Sequence, residues 1–446
     1  MQGLILIASC LLAANATAAS STAFVNVNVV PMTSATIVTQ QTVIVTDGSI
    51  VEIGDVDTIP VPGDAWVVDG TDRYLMPGLT EMHAHVPEVG TQDLDRVMTL
   101  FVVNGVTTIR GMLGRRSHLT LRQQLIDGDA FGPRLITSGP SLNGESVNGA
   151  ADAMRKVRAQ HAAGYDFIKI HPGLSPDEFS AIATVSTELG MRFAGHVPVA
   201  VGVDNALAAG IATIDHLDGY FVALLAANID PSGGYGGFFD VLLADQVIEE
   251  RITEIAARTA AAGTWNVPTE SLFEHRVSAL SVAELRNRPE MRFMPEATVN
   301  QWVRSKQTQE RERGFNAEIA LRAIEIRRRL ILALHEAGAG LLLGSDAPQV
   351  FNVPGFSLHH ELRLLVAAGL TPFEALRTGT AAAAQFLDIN TGTVAIGRDA
   401  DLVLLDANPL KDIGNTRRIH GVMLRGRWHS SSDLEQRLSV YRRQDD

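Results

Sequence analysis

Cysteine is almost missing: Cys10 is the only one in 446 residues. It lies in an apolar N-terminal run, so a chain cleaved after that run has no disulfide, no thiol nucleophile and no cysteine metal ligand. Basic charge is also short. The formal net charge is −13 and no stripe of Lys or Arg occurs, which excludes nucleic acid as an expected partner and fits a solvated acidic surface. Long hydrophobic runs are absent too. Leu4 to Ala14 is too short to span a bilayer and matches a signal h-region, so no stable membrane insertion is expected. The segment before it lacks the usual Lys or Arg. Ala16-Thr17-Ala18 offers a cleavage site, giving a signal segment 1–19 and a periplasmic or secreted protein. Ile7-Ala8-Ser9-Cys10 resembles a lipobox, but apolar residues continue after Cys10, so ordinary cleavage is the preferred expectation. No glycine-rich phosphate loop is present, and no nucleotide or organic cofactor is expected.

What is present has two styles. Residues 20–75 read as short alternating strands with turns, as in "TIVTQQTVIVTDGSIVEIG", and residues 385–430 return to that style. Between them, strand-like runs alternate with helix-like runs. "YLMPGLTEMHAHV", "VTTIR", "RLITSG", "YDFIKIH", "MRFAGHV", "IATIDHL", "TWNVPT" and "GLLLGSD" make eight strands. The helical periods include Asp152–Ala163, Ser175–Leu189, Asp245–Ala262 and Ala317–Ala337. Repeated βα units predict an α/β fold, a (β/α)8 TIM barrel over 76–384, with one small β-sandwich domain built from both flanking segments and a tail at 431–446. Insertions at 219–240, around Gly233-Gly234-Tyr235-Gly236-Gly237, and at 271–313 are expected to cover the C-terminal mouth of the barrel, where active sites lie.

His83 and His85 stand two apart on the first of these strands, so both face the same side. Paired imidazoles suit a divalent metal. Lys169, His196, His216 and Asp346 sit at the ends of the fourth, fifth, sixth and eighth strands. A lysine in an apolar strand is costly unless paired or uncharged. Lys169 is therefore either a salt-bridged side chain or a neutral amine able to add carbon dioxide, giving a carbamate that bridges two metals. Any one of these residues alone reads as structural; six compatible residues at strand ends read as a metal site.

These residues carry a resemblance. "MPGLTEMHAHV", with Glu81 where aspartate is common, and "GTAAAAQFLDINTGTVAIGRDADLVLLDANPL" are similar to motifs of the amidohydrolase superfamily of metal-dependent hydrolases. "GVTTIRGM" is similar to a third motif, with Gly111 in place of an acidic residue. The resemblance covers nearly the whole chain after the signal segment and is strongest to the prolidase-like and imidazolonepropionase-related branch. It implies that His83 and His85 bind a buried metal, that carboxylated Lys169 bridges two divalent ions, and that His196 and His216 bind the second. It implies that Asp346 binds the first metal and takes the proton of a bridging water. Zinc is the ion expected first, with manganese, cobalt and iron also compatible.

The activity so implied is hydrolysis, by a metal-bridging hydroxide, of an amide or peptide bond in a small substrate such as a dipeptide, Xaa-Pro or an N-acyl amino acid. Hydrolysis of a cyclic amide or lactone, deamination, and ligand binding without catalysis are the alternatives. Lys169 argues against typical deaminases, and Asp346 against a mere binder. A homo-oligomer is compatible with all of these. His171, two after Lys169, could contact the substrate carbonyl; Tyr220 could donate to the oxyanion; Arg110 could grip a substrate carboxylate. His359 and His360 read as surface or helix-terminal residues, and His275 carries no signal.

Overall fold

The computed structural model describes residues 21–443 apart from 227 and 230–235. The signal segment 1–19, Gly233, Gly234 and Tyr235 of the first insertion, and residues 444–446 of the tail lie outside the described residues. Five strands come first: β1 (Ser21–Val29), β2 (Val38–Thr46), β3 (Ser49–Asp55), β4 (Trp66–Asp69) and β5 (Tyr74–Pro77). Seven follow in the central region: β6 (Leu79–Ala84), β7 (Val106–Gly111), β8 (Arg134–Thr137), β9 (Phe167–Ile170), β10 (Arg192–Gly195), β11 (Thr213–Asp215) and β12 (Trp265–Val267). The last three are β13 (Leu402–Leu405), β14 (Ile419–Leu424) and β15 (Arg427–Ser430).

In the central region β6-β7-β8 and β9-β10-β11-β12 are parallel sheets. A bridge between Ser138 and Phe167 joins them. Residues 341–347 fill the eighth position, pairing through Leu341 with Asn266 and through Ala347 with Ala84. The ring of eight is the expected TIM barrel. Strands β6, β7 and β9 are buried along their length, because helices cover the outside while side chains fill the inside. Phe167, Ala194, Val267 and Leu342 form an apolar plug with Phe386 below the site. The helices start where the sequence provides caps. Ser175 accepts from the Glu178 amide, and Glu178 reaches back to Ser175, at the head of Pro176–Glu188.

The flanking segments form one eight-stranded sheet, ordered β15-β14-β13-β5-β1-β2-β3 with β4 beside β1. Phe24 on β1 meets Trp428 on β15 edge-to-face at 5.2 Å although three strands lie between them in the sheet. The sheet therefore curls back on itself around Phe24, Val43, Leu402 and Met423. Two expected boundaries fall inside elements. The limit at 75 cuts through β5, and that at 384 cuts the helix Ala381–Leu387, whose Phe386 stacks on Phe167 at 6.0 Å. The expected tail begins with a capped helix, Ser431–Ser439.

The second insertion is helical, with Glu270–Val277, Val282–Arg286 and Glu296–Glu310, and its Trp302 packs on Phe351 beyond the eighth strand position. No helix of the described residues is long and apolar enough to cross a membrane.

Candidate metal centre

Strand parity brings the ligands together. Glu81, His83 and His85 alternate along β6 and its exit, and all three are turned inward. Asp346 Oδ1 lies 2.9 Å from His85 Nε2 and 3.6 Å from His83 Nε2. One ligand atom from each of these three residues fits within a 4.8 Å cluster. Lys169 Nζ lies 3.3 Å from His83 Nε2. The His216 ring centroid is 4.5 Å from His83 and 4.6 Å from His196, and His171 is 4.9 Å from His196. All six expected ligands, with His171, thus occupy one end of the barrel.

Each imidazole is oriented by a second contact. His83 Nδ1 lies 2.9 Å from Asp215 Oδ2, His196 Nδ1 is 3.0 Å from Asp218 Oδ2, and His216 Nδ1 is 2.9 Å from Thr269 Oγ1. Hydrogen bonds to Asp218 and Thr269 draw the ring proton to Nδ1 in His196 and His216 and leave the Nε2 lone pair for the centre, whereas His83 Nδ1 is close to Asp215 without being aligned for a hydrogen bond. His85 Nδ1 is 3.3 Å from the Gln349 amide. The backbone contributes as well. His216, Thr269 and Asp346 have φ of 66°, 52° and 62°, left-handed conformations that cost of order 1–3 kcal/mol each in a non-glycine residue. Gly195 is required beside Lys169, since a Cβ there would meet Lys169 Cδ at 2.9 Å and Ile170 O at 2.5 Å.

Burial sets the charge states. Burial, reinforced by the Lys169 charge, takes His83 well below the usual imidazole range. Burial and His83 do the same for His216. Burial brings Lys169 down to about 8 although Asp215 and Asp346 oppose it. Burial alone would raise Asp215, but Arg110 and Lys169 beside it hold the carboxyl below its ordinary value. Neutral imidazoles and a weakly basic amine are what cation binding needs, because a protonated ring has no lone pair to give. Asp346 Oδ1 is buried with no donor aligned on it. A buried carboxylate oxygen left without a hydrogen bond, opposite Nε2 atoms of two histidines, fits a divalent cation.

Two sequence expectations are corrected. Arg110 does not reach substrate. It is fully buried, donates to Met82 O at 2.6 Å and to Thr213 Oγ1 at 3.2 Å, and pairs with both oxygens of Asp215 at 3.2 and 3.3 Å. It is a strut: Arg110 holds Asp215, and Asp215 holds His83. Tyr220 does not face the oxyanion position. Its hydroxyl donates to Asn266 Oδ1 at 2.8 Å and lies 3.0 Å from Thr259 Oγ1. Val267 belongs to the barrel plug, so Asn266, one residue earlier, points outward to the helix layer and Tyr220 with it. Tyr220→Phe is therefore expected to leave kcat/KM unchanged while lowering unfolding stability by about 1–3 kcal/mol, because Asn266 loses its donor. Parallel dipeptide assays and urea titrations test this; a collapse of kcat at unchanged stability would restore the catalytic reading.

Several residues escaped sequence reading. Asp215 and Asp218 flank His216 in "IDHLD", and an acidic neighbour of a suspected ligand was the available signal. Glu81 accepts from the His83 amide at 2.9 Å and from Ser345 N and Oγ at 2.9 and 2.5 Å, tying β6 to the turn that carries Asp346. Burial pushes Glu81 up to about 8. Arg327, paired with Glu270, donates to His216 O at 2.8 Å. From the first insertion, Phe239 stacks on His216 at 4.8 Å with rings 10° from parallel. Burial, and then Asp218, push the adjacent Asp240 up to about 7.

No curated protein sequence is significantly similar to the chain. Among solved structures it is similar to a bottromycin amidohydrolase, with 24% identity, TM-score 0.73, and coverage of 94% of this chain and 90% of that one. It is similar to a Xaa-Pro dipeptidase with bound methionine in the active site, with 18% identity, TM-score 0.65, and coverage of 92% and 100%. It is also similar to the ochratoxinase of A. niger, with 19% identity, TM-score 0.63, and coverage of 92% and 96%. The model of the amidohydrolase family matches residues 74–429, and with the His–His–Asp cluster in place the chain belongs to that family of metal-dependent hydrolases.

Proposed function

We propose that this chain is an exported binuclear-metal hydrolase that cleaves the amide or peptide bond of a small substrate, a dipeptide, Xaa-Pro or an N-acyl amino acid. One observation carries the reading: His83, His85, His196 and His216 meet Lys169 and Asp346 at a single barrel end, with Lys169, His83 and His216 fully or almost fully buried. His83, His85 and Asp346 would hold one divalent ion, zinc for preference, and His196 and His216 the second. The Lys169 amine adds carbon dioxide, forming one N–C bond and releasing one proton, and the resulting carbamate anion would be shared by both ions. Bound ions supply an acidified water and polarise the scissile carbonyl.

The chain's own groups do the rest. Asp346 accepts a proton from the attacking water and returns it to the leaving nitrogen, turning a poor amide leaving group into an amine. His171, beside His196, is held neutral by its burial, which takes it well below the usual imidazole range. It donates a hydrogen bond to the carbonyl oxygen as charge develops there. Asp215, Asp218 and Thr269 keep the rings aimed. The substrate class rests on the likeness to a Xaa-Pro dipeptidase and an amidohydrolase, and export rests on the N-terminal segment.

Elemental analysis of the purified protein is expected to give two divalent ions per chain, and Lys169→Met at most one. One ion in both proteins would establish a mononuclear site instead. A panel of dipeptides, N-acyl amino acids, cyclic imides and lactones assigns the substrate; turnover of lactones alone would overturn the amide reading.

A further inference from the structure

Away from the metal centre, a cavity of about 340 Å³ opens between the helix Glu270–Val277, the turn before Pro289–Phe293, the helix Phe356–Ala367 and the segment Ile413–Arg417. Arg288, Arg363 and Arg417 line it together with His275, His360 and Glu290. So much positive charge in one place is unusual for a chain of net charge −13. His359 and His360, expected as surface or helix-terminal residues, lie near the start of the helix Phe356–Ala367 but are not a surface pair. His359 is buried, 2.9 Å from Thr416 Oγ1 and 3.1 Å from Asn104 O. His360 turns into the cavity and stacks on His275, rings 4.8 Å apart and 7° from parallel.

The arginines have unusual partners. Arg288 donates to His275 Nε2, and Arg363 Nη2 donates to His360 Nδ1 at 3.0 Å. The ring nitrogens facing the guanidiniums are therefore acceptors, and both rings are neutral. Burial and the surrounding arginines keep His360 down at about 3. Among the described residues, none of the three guanidiniums is within ion-pair distance of a carboxylate, although exposed arginines elsewhere, such as Arg258 and Arg286, are. Burial and then the pull of Glu290, opposed by Arg363 and Arg417, act on Arg288, so the three cations feel one another. A guanidinium offers five donors in a planar fork that matches carboxylate or phosphate oxygens, and a neutral imidazole engages only one. Among the described residues Glu290 is the one carboxylate that lines the cavity, and it makes no ion pair with any of the three guanidiniums, so three cations face a single carboxylate there.

We propose that this cavity is a binding site for a small multivalent oxyanion, phosphate or polycarboxylate, held by Arg288, Arg363 and Arg417. The stacked His275–His360 pair forms its inner wall. The cavity lies behind the turn that carries Asp346: Ser357, another lining residue, places its Oγ 2.8 Å from Ser345 Oγ.

The test is calorimetric titration of the metal-loaded full chain with inorganic phosphate and, separately, with citrate. R363Q/R417Q is the comparison. Both positions are exposed, so the core is untouched, and kcat/KM without added anion should stay at the wild-type value. The expected result is saturable binding of at least one anion that weakens about tenfold or more for each guanidinium removed. The tighter of the two anions identifies the ligand class. Anion binding at the metals themselves would be equal in both proteins and cancels in the comparison. Arg417→Gln alone serves if the double variant does not fold. Absence of binding by either anion, or equal binding in wild type and variant, overturns the proposal.

Discussion

Asp346→Asn is expected to lower kcat on a hydrolysed dipeptide by about 10²–10⁴-fold, the range that a positioned general acid–base contributes. The substitution is nearly isosteric. Position 346 has φ 62°, and asparagine adopts that left-handed conformation as readily as aspartate, so the turn should keep its shape. What disappears is the charge opposite His83 and His85 and the only described carboxylate in their ligand cluster. An amide oxygen still donates a lone pair to a cation but cannot take up a proton. Turnover and metal content measured on the same preparation separate these roles. Lost turnover with metal retained supports proton transfer by Asp346, whereas undiminished turnover with metal retained sinks it.

The second large effect is expected away from any substrate. Arg110→Met should reduce unfolding stability by about 3–5 kcal/mol, the cost of stranding one partner of a buried ion pair. Asp215 is completely buried, and its two oxygens share Arg110 with little else but Thr213 Oγ1 at 2.6 Å, His83 and Lys169. Without the guanidinium the carboxyl protonates or draws in water, and either change alters its hold on His83. Activity should therefore fall together with stability. The double variant Arg110→Met/Asp215→Asn removes the stranded charge and should recover most of the stability. Urea midpoints decide the matter: an unchanged midpoint for Arg110→Met means that the pair is not a strut.

These two residues show what a one-dimensional reading reaches. Asp346 was legible because it ends an apolar run, as His83, Lys169, His196 and His216 do, and a parallel barrel gathers strand ends at one rim. Arg110 also ends such a run, yet its task is set by Thr213 and Asp215, residues far along the chain that meet it only across the barrel. Tyr220 was misjudged because its neighbour in sequence is a ligand strand, while its side chain is committed to Thr259 and Asn266 in the helix layer. The fold class and the joining of both ends followed from periodicity. The exact domain limits did not, since β5 crosses one of them and a buried helix the other.

The joined ends have a consequence for how the molecule is made and how it can be cut. Pro77 pairs with Leu402 and Tyr74 with Leu405, and the Gly78 amide donates to Asp401 O at 2.9 Å. Gly78 is all that separates β5 from β6, the strand bearing His83. A nascent chain on the ribosome thus cannot seat His83 and His85 firmly until β13, more than 300 residues further on, has emerged, and a proteolytic nick that releases β13–β15 would loosen the cation cradle from its far side.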